Sequence, residues 1–428
     1  MQVHSKETVE ERTRHWLEAS FLDAVASLGD PEHGIYDAEG QPRRLTRRAF
    51  QDVQRKLKIF RWLDRLSFES FIDVGAGFDH YPNLVRERYG VPAYFSDFAH
   101  SLILPYGGAE HGRLDRAVTL NITRLPFADD TFDVVLASEV LEHLVSPVEA
   151  IAELLRVARK YVIMTSLEAL STTRWQRLLA HLRVDVRQPH VERNFFLLHE
   201  LEAIFGDDWQ HENLFYDADL PASAFTPQHE QDAAYRSLRN VDAFVAALCS
   251  AVRVSDHRSG AMGVLLVKAK PNAEIRPSST TDHRALARWL IERTAAELRA
   301  GYGLIEQIRK GTAPFPAADR PIAAEVLALV RCPDCRGVLT RAGSGVRCSA
   351  CDTTFSGEYG VPILYPARGE GPYADPDWLQ RLCNGDPRRE RVVRQVAERL
   401  RRSERPPGWS RRLFWQLDRL LGDRPHTA

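Results

Sequence analysis

The sequence is short of cysteine, of net charge and of long apolar runs. Six cysteines in 428 residues cannot staple a chain of this size, which excludes a disulfide scaffold. Lys plus Arg number 57 against 58 Asp plus Glu. That balance argues against a general polyanion binder and leaves room only for a local basic patch. No stretch approaches the ~20 apolar residues that cross a bilayer. The stretch Met1 to Glu11 is polar and charged, without an apolar signal core. Four of the six cysteines form two Cys-x-x-Cys pairs, which suggests metal in a reducing compartment, and the expected location is cytoplasmic. No internal repeat is visible.

What is present is the mix of a soluble globular protein, 44% apolar and 27% charged, in a chain long enough for two or three units. Residues 5–28 and 45–66 read as helices, separated by a turn-rich stretch at 29–41. From 70 to about 165, short apolar runs alternate with helical patterns: Phe71 to Val74, Ala93 to Phe95, Ala117 to Leu120, Asp133 to Leu136 and Tyr161 to Met164. Such alternation predicts an α/β fold with a parallel sheet covered by helices. Residues 171–258 read as helix-rich, and Gly263 to Lys268 as one more strand. A Pro/Ser/Thr cluster at 271–281 marks a linker, and Asp282 is placed to cap a helix reaching about Lys310. The expected units are a helical cap at 1–44, a catalytic domain at 45–270, a linker and helical connector at 271–325, a cysteine module at 326–366 and a basic helical tail at 367–428.

The stretch Phe71 to Asp79 is a buried strand that ends in an acid, Asp73, and runs into Gly75 and Gly77. Glycines there let the backbone take positive φ and approach a ligand closely. Asp97 follows the second apolar run, where a carboxylate accepts from both ribose hydroxyls of a nucleotide; the plain alternative is a capping or turn aspartate. Asn121 to Phe127 follows the third strand, and Phe132 to Leu144 makes a fourth strand running into a short turn.

In that order, Asp73 to Gly77, Leu125 to Phe127, Phe132 to Val135 and Glu142 to Leu144 resemble the Rossmann-like S-adenosylmethionine methyltransferases that carry a glycine loop, "LPF", "FDVV" and "EHL". The resemblance covers about 45–270 and implies a seven-stranded sheet with flanking helices. It also implies that Gly75 and Gly77 lie beside the methionine part of the cofactor. Asp73 then binds the amino group directly or through water, Asp97 holds the ribose, Asn121 and Ile122 border the adenine, and Ser138 and Glu139 line the methionine side. Two positions depart from the pattern. Asp79 stands where many relatives have a third glycine, and Asn121 stands where Asp is more usual, although an amide oxygen still accepts from the adenine amine. A dinucleotide such as NAD is the rival ligand, disfavoured by the missing third glycine.

Methyl transfer needs alignment and exclusion of water, and a base only where the nucleophile holds a proton. His143 is the candidate base, because imidazole titrates near neutrality, with Glu142 beside it; the plain alternative is that His143 is structural. His80, Tyr81, His190 and His199 carry no distinguishing signal. An Asn-Pro-Pro-Tyr or Asp-Pro-Pro-Tyr element is absent, and the only Cys-Pro, Cys332-Pro333, lies in the cysteine module. Exocyclic-amine and pyrimidine C5 methylation are therefore disfavoured. The expected acceptor is a small-molecule or glycan oxygen, with RNA behind it, and a non-catalytic scaffold is the reading from another class.

Cys332-Pro333-Asp334-Cys335 and Cys348-Ser349-Ala350-Cys351 lie 12 residues apart. Two such knuckles close a tetrahedral four-sulfur site, which suits structural Zn2+ and leaves no open catalytic position. With Phe355 and Gly360 to Leu364, the module resembles the small zinc-ribbon activators of RNA and protein methyltransferases, and is expected to pack on the catalytic domain of its own chain. Cys249 and Cys383 have no paired spacing. Residues 375–428 hold 13 Arg, no Lys and 8 acids. Trp409, Leu413, Phe414, Leu417 and Leu421 fall at helical spacing there. Such a helix packs on the chain, lies on an anionic membrane or contacts RNA, in that order of preference.

Overall fold

The computed structural model describes residues 47–77, 81–104, 114–144, 147–167, 198–215, 245–246, 261–269, 273, 275–276, 282–313, 315–366 and 378–401. The helix expected over 5–28, His80, His190, Cys249, the 409–421 segment and the side chains of Glu142 and His199 lie outside these residues.

Helix α1 (Arg47–Leu63) leads into β1 (Phe71–Val74), α2 (Tyr81–Tyr89), β2 (Ala93–Asp97), a short α3 (His100–Ile103), β3 (Ala117–Leu120) and β4 (Phe132–Ser138). Next come α4 (Pro147–Val157), β5 (Ala158–Leu167), α5 (Leu198–Phe205), β6 (Trp209–Phe215) and β7 (Ala261–Lys268). These strands form one sheet in the order β3-β2-β1-β4-β5-β7-β6, parallel from β3 to β5, with β7 antiparallel to both β5 and β6. The fold is thus a Rossmann-like α/β sheet with helices on both faces.

The period-two alternation of the strands decides which helices cover which face. Ile72, Val74, Val135 and Ala137 pack with α4 and α5. Phe71, Val134, Leu136 and Ile163 pack instead with α1 and α2. On that second face lies α6 (His283–Arg309), whose first turn is capped by the Asp282 carboxylate accepting from the Arg284 amide at 2.9 Å. Tyr81 is fully buried and stacks on Phe60, so it is a packing residue. Strand order reverses between β1 and β4, and ligands of such sheets bind at the carboxyl ends of the strands beside that point.

Two expectations change. Trp209–Phe215 is a strand within the stretch read as helix-rich. It is an edge strand, apolar only at its ends, so the alternation that marks a half-buried strand is missing. Among the described residues, the seven strands of the main sheet are also joined by two more from the cysteine module. Beyond α7 (Ala324–Leu329), the cysteine module folds as β8 (Leu339–Ala342), β9 (Gly345–Cys348) and β10 (Thr354–Phe355), followed by β11 (Gly357–Glu358) and β12 (Val361–Leu364). Strand β12 pairs in parallel with β3, Ile363 opposite Thr119 and Leu364 opposite Leu120, and β11 closes that edge.

The module shares one core with the main domain. Val330, Leu339, Val346, Phe355 and Leu364 are at most 5% exposed and cluster with Leu125, Phe127 and Leu154. At roughly 1.5–3 kcal/mol per fully buried large apolar side chain, this shared core outweighs the polar contacts around it. Those contacts include the Arg331 amide donating to the Pro126 carbonyl at 2.8 Å and the Arg124 guanidinium donating to the Asp334 carbonyl at 2.9 Å. Helices α8 (Trp378–Leu382) and α9 (Pro387–Arg401), with the turn between them, bury Leu379, Cys383, Val393 and Val396 in the same core. Arg389 donates to the carbonyls of Ala203 and Ile204 at the end of α5.

Candidate functional site

The loop after β1 is fixed by its neighbours. Gly75 (φ +85°) and Ala76 both donate their amides to the Ser96 carbonyl at 2.9 Å. A Cβ on Gly75 would lie 2.5 Å from the Val140 side chain, so β4's exit turn packs against bare backbone. Gly77 (φ +45°) donates its amide to the Asp97 carboxylate at 2.9 Å. The other Asp97 oxygen accepts from the Ala99 amide, also at 2.9 Å. Burial raises the Asp97 pKa, opposed by the amides of Ala99, Gly77 and Phe98. Asp73, 1% exposed, lies on the sheet face covered by α1 and α2.

Asn121 caps the 3-10 turn Ile122–Arg124. Its side-chain oxygen accepts from the Thr123 amide at 3.0 Å and the Thr123 hydroxyl at 2.8 Å. The oxygen expected to meet an adenine amine is therefore engaged within the turn. Ile122 is 6% exposed beside it.

At the end of β4, the hydroxyls of Ser138 and Thr165 lie 3.0 Å apart. Glu139 takes a left-handed backbone (φ +56°) unusual for its type, held by its amide donating to the Thr165 carbonyl at 3.0 Å. That twist turns its carboxylate toward Arg55 of α1, 3.8 Å away. Arg55 was not singled out in the sequence, because α1 carries several cations and local pattern does not say which one turns inward. His143 ends the next 3-10 turn, Leu141–His143, its amide donating to the Val140 carbonyl at 3.0 Å. The structure thus gathers Gly75, Gly77, Asp97 and Glu139 at the carboxyl ends of β1, β2 and β4, with Val140 and His143 on the turn that follows.

The four cysteine sulfurs lie within 4.8 Å of one another. Cys332 and Cys351 are 3.6 Å apart and Cys335 and Cys348 3.4 Å, too long for S–S bonds. Four thiolates each about 2.3 Å from one ion stand about 3.8 Å apart, so the spacing fits a tetrahedral metal. Both knuckles turn alike: Arg336 and Asp352 have positive φ and return their amides to Cys332 and Cys348. Gly337 leaves the space, since a Cβ there would lie 2.9 Å from the Cys348 sulfur. Hydrogen bonds from the Thr353 side chain and backbone bring the Cys351 thiol down to about 6.

A cavity of about 330 Å3 between α4, β6 and α8 lies at the opposite end of the sheet. Its charged groups pair with one another, as Arg156 does with Glu153 at 2.6 Å and Asp129 at 2.9 Å.

Residues 72–164 match the family described as "Methyltransferase domain". That match spans 93 of the 428 residues, from β1 to β5. No curated protein matches the sequence. Among solved structures, the chain is similar to one from Haloferax volcanii, a complex between the Trm112 methyltransferase activator and the putative methyltransferase. Identity there is 17%, covering 50% of this chain and 93% of that one, with a TM-score of 0.32. It is similar to the YcgJ protein of Bacillus subtilis (17% identity, 51% and 97% covered, TM-score 0.36). It is also similar to the magnesium protoporphyrin IX methyltransferase of Synechocystis (12% identity, 61% and 100% covered, TM-score 0.37).

Proposed function

We propose that this chain transfers a methyl group from S-adenosylmethionine to an oxygen of a small-molecule or glycan acceptor, with its fused module acting as a structural zinc ribbon. The observation that carries the reading is the join between the glycine loop and the Asp97 carboxylate. It places bare backbone and an acid side by side at the switch point of a methyltransferase domain.

When bound, the cofactor supplies an activated methyl carbon. Everything else falls to the chain. Gly75 and Gly77 leave room for close approach, and the remaining lone pairs of Asp97 accept from the two ribose hydroxyls. Ile122 and Asn121 border the base. At the other end, Glu139 and Arg55 oppose the two charges of an amino-acid zwitterion, carboxylate toward ammonium and guanidinium toward carboxylate. Asp73 supports the ammonium side, and Ser138 lines that side as well. His143 accepts the proton of the acceptor hydroxyl, beside Glu142.

The four thiolates suit zinc in a closed site, which supports folding rather than chemistry. The ribbon is read as an activator built into the chain, held beside its partner at high effective concentration. No helix among the described residues is long and apolar enough to cross a membrane; the cytoplasmic reading rests on the two Cys-x-x-Cys pairs.

Transfer of label from methyl-labelled S-adenosylmethionine to a panel of hydroxylated small molecules, glycans and RNA tests the reaction. Labelling of an alcohol acceptor, reduced about 100-fold or more in His143→Gln, supports it. Labelling confined to RNA contradicts the acceptor class.

A further inference from the structure

We infer that Tyr365, the residue after β12, positions the nucleoside end of the cofactor by fixing the peptide that follows Phe98; this rests on the cofactor reading above. The Tyr365 hydroxyl donates to the Phe98 carbonyl, and its ring meets the Phe98 ring edge-on at a centroid distance of 5.4 Å. That carbonyl and the Ala99 amide belong to one planar trans peptide unit, so they point in opposite directions and turn together. The Ala99 amide is the donor to the Asp97 carboxylate at 2.9 Å. Holding the carbonyl from the ribbon side therefore aims the amide at the acid assigned to the ribose. The two hydrogen bonds also polarise one another through the shared peptide.

The wider register leads to the same corner. Asp97, Thr119 and Ile363 form one row across β2, β3 and β12. Leu364 pairs with Leu120, the neighbour of Asn121. His100 adds a second tie, its ring 2.7 Å from the Thr119 hydroxyl and 3.5 Å from the Glu358 carboxylate of β11. The ribbon edge thus buttresses the ribose and adenine corner, while the amino-acid corner around Glu139 and Arg55 is built by β4, β5 and α1.

This division makes the role separable from plain stability. Tyr365→Phe keeps the ring contact and removes only the hydroxyl. The experiment is calorimetric titration of full-length, zinc-replete protein with S-adenosylmethionine and with 5′-methylthioadenosine, which has the nucleoside end and no amino-acid end. Tyr365→Phe weakens both ligands by a similar factor, about 5- to 10-fold for one hydrogen bond. The melting temperature of the ligand-free protein falls by no more than about 1–4 °C, the worth of one hydrogen bond, and by less than in Leu339→Ala. Arg55→Ala weakens S-adenosylmethionine and spares 5′-methylthioadenosine. Leu339→Ala, in the ribbon core, lowers the melting temperature and spares both affinities. Unchanged affinities in Tyr365→Phe overturn the inference. So does a loss for S-adenosylmethionine alone, or a loss that tracks melting temperature and recurs in Leu339→Ala. Wild-type protein that binds neither ligand overturns the cofactor reading, and this inference with it.

Discussion

The Gly77 amide donates to the Asp97 carboxylate at 2.9 Å, across 20 residues of chain. The loop after β1 and the acid that ends β2 are therefore tied directly to one another. Removing the carboxylate removes a backbone anchor and the proposed acceptor for the ribose together. Asp97→Asn keeps an oxygen for one amide and loses the charge. S-adenosylmethionine affinity should fall about 10- to 100-fold, the worth of a charge-assisted hydrogen bond. Titration calorimetry on the variant reads it, and an affinity within twofold of wild type contradicts the assignment.

Burial raises the Asp97 pKa, and the sign of the pH dependence follows. In the proposed binding mode, ribose hydroxyls donate to the ionised carboxylate, so binding favours that form. Affinity should fall as pH drops through the raised pKa, starting above the ordinary carboxylate value of about 4. In the ligand-free protein the folded state holds the proton more tightly than the unfolded one, so stability declines as pH rises through the same window. Dissociation constants measured across this range should show a one-proton dependence that disappears in Asp97→Asn. A flat wild-type profile rejects it.

Gly75→Ala introduces a Cβ 2.5 Å from Val140 at a φ of +85°. The expected cost is about 1–3 kcal/mol in denaturant unfolding, from backbone strain and the clash together. Adding Val140→Ala should recover part of it, the clash but not the strain. No destabilisation in the single variant means that the loop relaxes freely.

Chelation of zinc should uncouple the ribbon, because four thiolates brought within 4.8 Å repel or protonate without a cation. The expected result is one zinc per chain by elemental analysis, and a lower melting temperature in Cys348→Ser. Metal-free protein with unchanged melting assigns the ribbon fold to its apolar core alone.

Much of this site was legible because its parts are close in sequence. Asp73 to Gly77 and the acid at Asp97 follow from strand ends and glycine spacing, and the two knuckles from cysteine spacing. The role of β12 was not legible. Pro362 lacks an amide donor, which argues against an interior strand, yet β12 lies between β11 and β3, and only the two residues after Pro362 pair with β3. A pairing between Thr119 and Ile363 is a long-range contact that no local pattern encodes. Glu139 was read as a lining residue, but its left-handed backbone and its link to Arg55 depend on how α1 lies over β4. The Asn121 oxygen was assigned to a ligand, whereas the short turn behind it takes that oxygen as a cap.

The most direct test is calorimetric titration of wild-type and Asp97→Ala protein with S-adenosylmethionine, both zinc-replete. The account predicts one site per chain with micromolar affinity in the wild type, lost in the variant. Folded wild-type protein that gives no binding heat would contradict it, and would leave a methyltransferase-like sheet that serves to carry the ribbon.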